Sequence, residues 1–235
     1  MQKKIINWIK KVVRDSKAKG VVLGVSGGVD SAVVAALCTK ALGKNRVLAL
    51  VLPCQSTKED IHYAKKAIRW LGISHKYIDL SGTCDTLLKS LPKANKLAVA
   101  NLKPRLRMMT LYYFANSLNY LVVGTGNRSE LTVGYFTKFG DGGVDILPIG
   151  RLLKCQVYEL AKELGVPKEI IKRVPTAGLW PGQTDEGEMG ITYKELDSIL
   201  KKCKNINSLS HKKIRKMVQG AQHKLSLPLI PASLQ

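Results

Sequence analysis

The 235-residue sequence predicts an α/β protein, a doubly wound parallel sheet with helices on both faces. Two observations predict it. Short apolar runs alternate with helical patterns along the first half, the order that builds a parallel sheet covered on both sides. One of those runs, Val21 to Val25, breaks into Ser26-Gly27-Gly28 and opens a helix near Asp30, a strand-to-helix turn of the kind such sheets use to hold anions.

The elements follow in order. Ile5, Ile6, Ile9, Val12 and Val13 fall at helical spacing, so an amphipathic helix precedes the first strand. After the glycine turn, Ala32 to Leu42 is a good helix former that stops at Gly43. Arg46 to Leu52 is an apolar run of buried-strand type. Ser56-Thr-Lys-Glu59 reads as a capping box for a helix ending near Gly72. His75 to Leu80 alternates as a third strand, and Lys96 to Asn119 reads as one long helix. Tyr120 to Gly124 is a fourth strand that runs into a helix start at Asn127-Arg-Ser-Glu130. Ligands of such sheets sit beyond the strand C-termini, so the loops after Val25, Leu52 and Val123 are expected to line one crevice.

The second half changes character. Gly134 to Gly143 is polar and glycine-rich, and a brief strand is expected near Asp145 to Ile149. Gln156 to Leu164 reads as a helix stopped by Gly165-Val-Pro167. Gly178 to Gly187 is a loop too long for an idle connection. Thr192 to Lys201 and Ser210 to Gln222 are further helices. The length suits one domain over residues 1–235.

Composition removes several function classes. At 45% hydrophobic and 23% charged residues, the chain has an ordinary globular balance. No apolar run approaches a membrane span, and Met1 to Trp8 lacks the apolar core of a secretion signal, so a cytoplasmic location and no membrane partner are expected. Cys38, Cys54, Cys84, Cys155 and Cys203 stand apart with no Cys-x-x-Cys pair, which speaks for reduced thiols and against zinc or iron–sulfur sites. The unusual number is the net charge of +21, from 38 Lys+Arg against 17 Asp+Glu. It suits anionic partners and can steer them. The basic residues are spread along the chain, with only a mild concentration between Lys201 and Lys224, so no specific nucleic-acid site is expected.

The chemistry starts at Gly24-Val-Ser-Gly-Gly-Val-Asp-Ser31. Two glycines let the backbone approach a ligand closely, and the free N–H groups of the next helix attract an anion. No Gly-Lys-Ser/Thr follows, so this is a cradle of backbone and hydroxyl donors that differs from the common P-loop. The plainer alternative makes Ser26 or Asp30 a helix N-cap.

This segment resembles the Ser-Gly-Gly-x-Asp-Ser signature of the PP-loop ATP pyrophosphatases, enzymes with a Rossmann-like fold of the adenine nucleotide alpha hydrolase type that cleave ATP between the α and β phosphates. A second stretch narrows the resemblance. Gly124 to Glu130, Tyr135-Phe-Thr-Lys-Phe-Gly-Asp-Gly-Gly143, Leu147 to Lys154 and Pro175-Thr-Ala-Gly-Leu-Trp-Pro-Gly-Gln-Thr-Asp185 are similar to the ammonia-dependent NAD synthetases. The likeness runs from about Ile5 to Pro228. It implies a ligase that turns deamido-NAD, ATP and ammonia into NAD, AMP and pyrophosphate through an acyl adenylate, as a homodimer.

The resemblance also implies roles. Gly24, Val25, Ser26, Gly27, Gly28, Val29, Asp30 and Ser31 would bind ATP, with Thr125, Lys154 and Thr176. Asp30 and Glu130 would hold Mg²⁺, an ion that suits one or two carboxylates plus phosphate and water. Arg105, Lys138, Asp145, His223 and Lys224 would contact deamido-NAD. Apart from the resemblance, Asp141 in the glycine-rich loop is the candidate catalytic group that takes a proton from ammonium, with a turn-forming aspartate in Gly-Asp-Gly as the alternative. There is no room for a glutaminase domain, so free ammonia, or ammonia from a separate partner, is the expected nitrogen source. The chain departs from the commoner family pattern at Leu52 to Thr57, at Arg151 and at Cys155, which bears on adenine and dimer contacts. Two rivals are a tRNA-modifying PP-loop enzyme, favoured by the charge, and a non-enzymatic scaffold, which leaves Asp30, Glu130, Lys154 and Thr176 together unexplained.

Overall fold

The computed structural model describes residues 1–202, 211–228 and 230–231. Its centre is a four-stranded sheet in the order β3-β2-β1-β4, formed by β1 (Gly20–Gly24), β2 (Val47–Val51), β3 (Ser74–Tyr77) and β4 (Tyr120–Val122). Every pairing is parallel. Alternation along β1 divides the core. Val21 and Leu23 face a layer made by α1 (Gln2–Asp15), α2 (Val29–Leu42), α3 (Lys58–Leu71) and α8 (Lys154–Leu164). Val22 points the other way, toward Cys84 of α4 (Ser81–Lys89) and Ala115 of α6 (Leu102–Leu118). This is the period-2 geometry of a sheet buried on both faces.

The expected long helix from Lys96 to Asn119 is two helices, α5 (Lys96–Ala100) and α6, broken at Asn101. Pro104 explains the break. In a continuous helix it would sit inside and leave the Ala100 carbonyl without its N–H donor, whereas in the first turn of α6 no such bond is needed. The strand expected over Asp145 to Ile149 reduces to a single bridge between Val123 and Ile146. There the Asp145 carboxylate takes the Val122 N–H at 2.7 Å, and Pro148 has no N–H to extend a ladder. β3 ends at Tyr77, earlier than expected: the Ile78 and Leu80 N–H groups still donate to the Val51 and Pro53 carbonyls, but Pro53 has no N–H to continue the ladder, and Asp79 accepts the Ser81 N–H at the start of α4. The capping box of α3 is Thr57 with Asp60, one residue later than expected. The structure adds the helices α4 and α9 (Lys168–Lys172), in segments for which the sequence pattern predicts no element, and α10 (Asp185–Met189), which begins inside the loop expected over Gly178 to Gly187.

Helices α7 (Arg128–Val133), α10, α11 (Tyr193–Lys202) and α12 (Lys212–Leu225) form a third apolar cluster around Leu196 and Ile214. α12 covers most of the helix expected over Ser210 to Gln222; Ser210 lies outside the described residues, as does Cys203. Cys38, Cys54, Cys84 and Cys155 are free thiols. Among the described residues no helix is long and apolar enough to cross a membrane. Helix α6 also leaves an apolar face outside: Met109 is 62% exposed and Tyr113 67%.

Candidate active site

The loops after β1, β2 and β4 do line one cavity, of about 570 Å³, beyond the C-terminal ends of the strands. Its floor is the Ser26-Gly-Gly turn. Gly27 has φ +81°, and a Cβ there would stand 2.5 Å from the Ala64 backbone nitrogen, so only glycine lets the turn lie flush on α3. The N-cap of α2 is Gly28, with no side-chain cap bond. Neither Ser26 nor Asp30 acts as the cap; Ser31 Oγ turns back to Gly28 O at 2.9 Å. The first N–H groups of α2 are therefore left for a ligand.

Above this turn an ion cluster holds the centre. Lys154, 2% exposed by side chain, places Nζ 2.5 Å from Asp30 Oδ2 and 3.3 Å from Glu130 Oε1. Asn127 explains why two acids so far apart in sequence meet. Its Oδ1 caps α7 through the Glu130 N–H at 3.1 Å, while its Nδ2 donates to Asp30 Oδ1 at 2.9 Å. Tyr193 closes the other side, its hydroxyl within 3.1 Å of Glu130 Oε1 and 3.0 Å of Asp185 Oδ2.

The electrostatics follow from one ammonium among several carboxylates. Burial, opposed by Lys154 and reinforced by Asp30, pushes the Glu130 carboxyl up to about 7. Burial works against the Lys154 charge, but Asp30 and Glu130 outweigh it and hold that ammonium above its ordinary range. Asp185, 5% exposed, is likewise raised by burial, and its Oδ1 has no hydrogen-bond partner among the described residues. Tyr135, the nearby hydroxyl, donates to Glu188 instead. The cluster is thus short of positive charge. Asp30 and Glu130 are hard oxygen donors facing a phosphate cradle, a donor set that fits Mg²⁺.

The cavity wall gathers nearly all the sequence-predicted residues. Gly24, Val25, Ser26, Gly28, Val29, Asp30, Ser31, Thr125, Glu130, Lys154 and Thr176 line it, while Gly27 does not. Arg105, Lys138, Asp141, His223 and Lys224 line it as well. Asp141 Oδ1 accepts the Thr137 N–H at 2.9 Å. Burial of the carboxyl raises its pKa, with the Thr137 N–H opposing. Lys224 Nζ is spent on the Gly134 and Phe136 carbonyls at 2.7 and 2.8 Å, which ties α12 to the glycine-rich loop. Asp145 is not among the lining residues; its carboxylate is occupied by Val122 N–H and the Tyr112 hydroxyl.

Several participants escaped the sequence reading. In the sequence Asn127 reads only as a helix start, and Asp185 only as part of a loop motif. Arg173 pairs with Asp60 and donates to Ser26 O at 3.4 Å, fastening the strap that carries Thr176 to the glycine turn. Lys103, buried in the first turn of α6, donates to Leu179 O at 2.7 Å and anchors the 178–187 loop. No pattern in so basic a chain separates these cations from solvated ones.

A parallel sheet in the order 3-2-1-4, with an uncapped glycine turn at the end of β1 and acids and a lysine facing it, defines a protein of the PP-loop class. Within that class, the chain belongs to the NAD synthase family, whose pattern it matches over residues 1–228. It is 48% identical over 233 residues to the NH₃-dependent NAD⁺ synthetase of Carboxydothermus hydrogenoformans, covering 97% of this chain and 95% of that one. It is 50% identical over 230 residues to the enzyme of the same description from Archaeoglobus fulgidus, covering 96% and 93%. Its fold is similar to that of NMN synthetase from Francisella tularensis, with a TM-score of 0.91 and 41% identity over 98% of this chain and 96% of that one.

Proposed function

We propose that this protein, acting as a single domain, amidates deamido-NAD with ammonia at the expense of ATP, yielding NAD, AMP and pyrophosphate. The observation that carries this reading is the meeting in one cavity of the uncapped α2 N-terminus, the Asp30–Lys154–Glu130 cluster and Asp141. The kinship with NAD synthetases supports it and gives the tRNA-modifying alternative no footing.

The chemical problem is that a carboxylate is a poor electrophile. Its oxygen attacks the α-phosphorus of ATP, the bond to the β-phosphate oxygen breaks, and pyrophosphate leaves. The α2 N–H groups bind the phosphates, with hydroxyls from Thr125 and Thr176, and Lys154 moves from its acids to the departing charge. Asp30 and Glu130 hold Mg²⁺, which supplies further charge neutralisation at the phosphates. Asp141 takes a proton from ammonium, so that neutral ammonia attacks the carbonyl carbon and the C–O bond to AMP breaks. The loop anchored by Lys103 excludes water from the adenylate. Arg105, Lys138, Asp145, His223 and Lys224 serve the dinucleotide. Asp145, placed away from this chain's cavity, and the bare α6 face fit a homodimer in which a second copy completes the substrate site. The cytoplasm supplies the ATP, and the +21 charge steers anionic substrates without a specific nucleic-acid site.

The test is NAD formation from deamido-NAD, ATP, Mg²⁺ and ammonium. Ammonium is expected to support turnover and glutamine alone is not; glutamine-driven turnover free of ammonia contamination would sink the nitrogen assignment. The likeness to an NMN synthetase raises a second reading, amidation of nicotinic acid mononucleotide. The same assay with that substrate decides between them: a higher kcat/KM for the mononucleotide replaces the first reading.

A further inference from the structure

Arg107 stands one short step along α6 from Arg105, and both line the cavity. Their situations differ. Arg105 is exposed and reaches the Lys138 carbonyl at the rim. Arg107 is largely enclosed, donating through Nε to Leu52 O at 3.0 Å and through Nη2 to Ser56 Oγ at 3.3 Å. Both acceptors are neutral. Nη1 has no hydrogen bond among the described residues, and the guanidinium forms no ion pair with any of them. Burial presses its pKa downward, yet a guanidinium stays charged near neutral pH. Asp141 and Asp60 act on this cation only through space, without a direct ion pair, and two fork nitrogens are fixed while the third is left for an anion.

Place selects which anion. In the proposed reaction the phosphates already have the α2 N–H groups and Lys154. Arg107 instead lies beside the loop that carries Asp141. A Cβ on Gly140 would stand 2.9 Å from Pro104 Cβ, and one on Gly143 would stand 3.1 Å from Met108 Cγ, so this loop rests on the turn of α6 that presents Arg107. In the proposed reaction Asp141 serves the nitrogen that attacks the carboxyl carbon. The donor that holds the oxygens of that carbon has to be adjacent.

We propose that Arg107 receives the carboxylate of the acid substrate, aims one oxygen at the α-phosphorus and makes the site prefer the acid dinucleotide over its amide. This rests on the amidation reading above.

Equilibrium binding of deamido-NAD, of NAD and of ATP with Mg²⁺ tests it, on the wild type, Arg107→Gln and Arg107→Lys. The wild type is expected to favour the acid by about tenfold or more, the size of one charged hydrogen-bonded contact. Arg107→Gln should bring acid and amide within about twofold while leaving NAD and ATP affinities within about twofold of wild type. Retained acid preference in Arg107→Gln overturns the inference. So does a loss of ATP affinity with preference intact, which assigns the guanidinium to a phosphate. If Arg107→Gln fails to fold, Arg107→Lys decides: an ammonium cannot hold Leu52 O and Ser56 Oγ and also reach the ligand, so full preference in that variant overturns the proposal. A wild type that forms NAD while the variants still discriminate overturns only this inference; a wild type that forms none overturns the amidation reading and this with it.

Discussion

Asp30→Asn is expected to slow pyrophosphate release by about a hundredfold or more, the scale of losing a preorganised electrostatic contact at a developing charge. The substitution keeps size and shape, and an amide oxygen can still accept from Asn127, so the change is one of charge. Two functions go with it. Lys154 loses its closer partner, at 2.5 Å, and keeps only Glu130 at 3.3 Å. In the proposed reading the metal would also lose one of its two carboxylates, so the remaining rate should need more magnesium. Glu130→Gln should act in the same direction, with an added loss at the α7 cap, where Oε2 accepts the Asn127 N–H at 3.2 Å. Rapid-quench measurement of pyrophosphate across a magnesium titration checks both. Near-normal release in either variant removes that residue from the metal site.

Asp141→Asn should separate the two half-reactions. Its Oδ1 holds the Thr137 N–H at 2.9 Å, a bond an asparagine oxygen can keep, so the loop shape is preserved. An amide cannot take a proton. Burial already makes this carboxylate a better proton acceptor than an exposed one, and that advantage disappears with the charge. Adenylation relies on Lys154, Asp30 and Glu130, and should survive. The expected record is a burst of pyrophosphate followed by NAD formation slowed about a hundredfold, within the usual range for a lost general base. Equal loss of both products reduces Asp141 to a residue that shapes the loop, and wild-type rates of both remove it from the chemistry.

The part of this site most legible in the sequence is the part governed by local rules. An apolar run, two glycines and a helix start specify a strand, a turn and a set of free N–H groups, and β1 and α2 form there. Elements set by competition between distant groups were less legible. Asp145 to Ile149 has the apolar pattern of a strand, but the Asp145 side chain captures a β4 donor, and that bond depends on how the chain folds back. Lys96 to Asn119 has helical composition throughout, and the break follows from Pro104, whose effect was readable in principle. Motif position picked out Lys154, yet only the fold makes it a buried cation between two acids. Arg107 had no signal: a cation facing a cavity and a cation facing water look alike in a chain with 38 Lys+Arg.

The outward face of α6 carries a consequence of its own. Met109 and Tyr113 stand on the same helix as Arg105 and Arg107. If, as proposed, a second copy covers that face, folding and pairing are linked by mass action, and the melting temperature should rise with protein concentration. Dilution would then loosen a wall of the cavity as it separates the copies. Specific activity in this protein should fall with dilution along the same curve as thermal stability, and substrates that favour the paired state should shift both curves to lower concentration together.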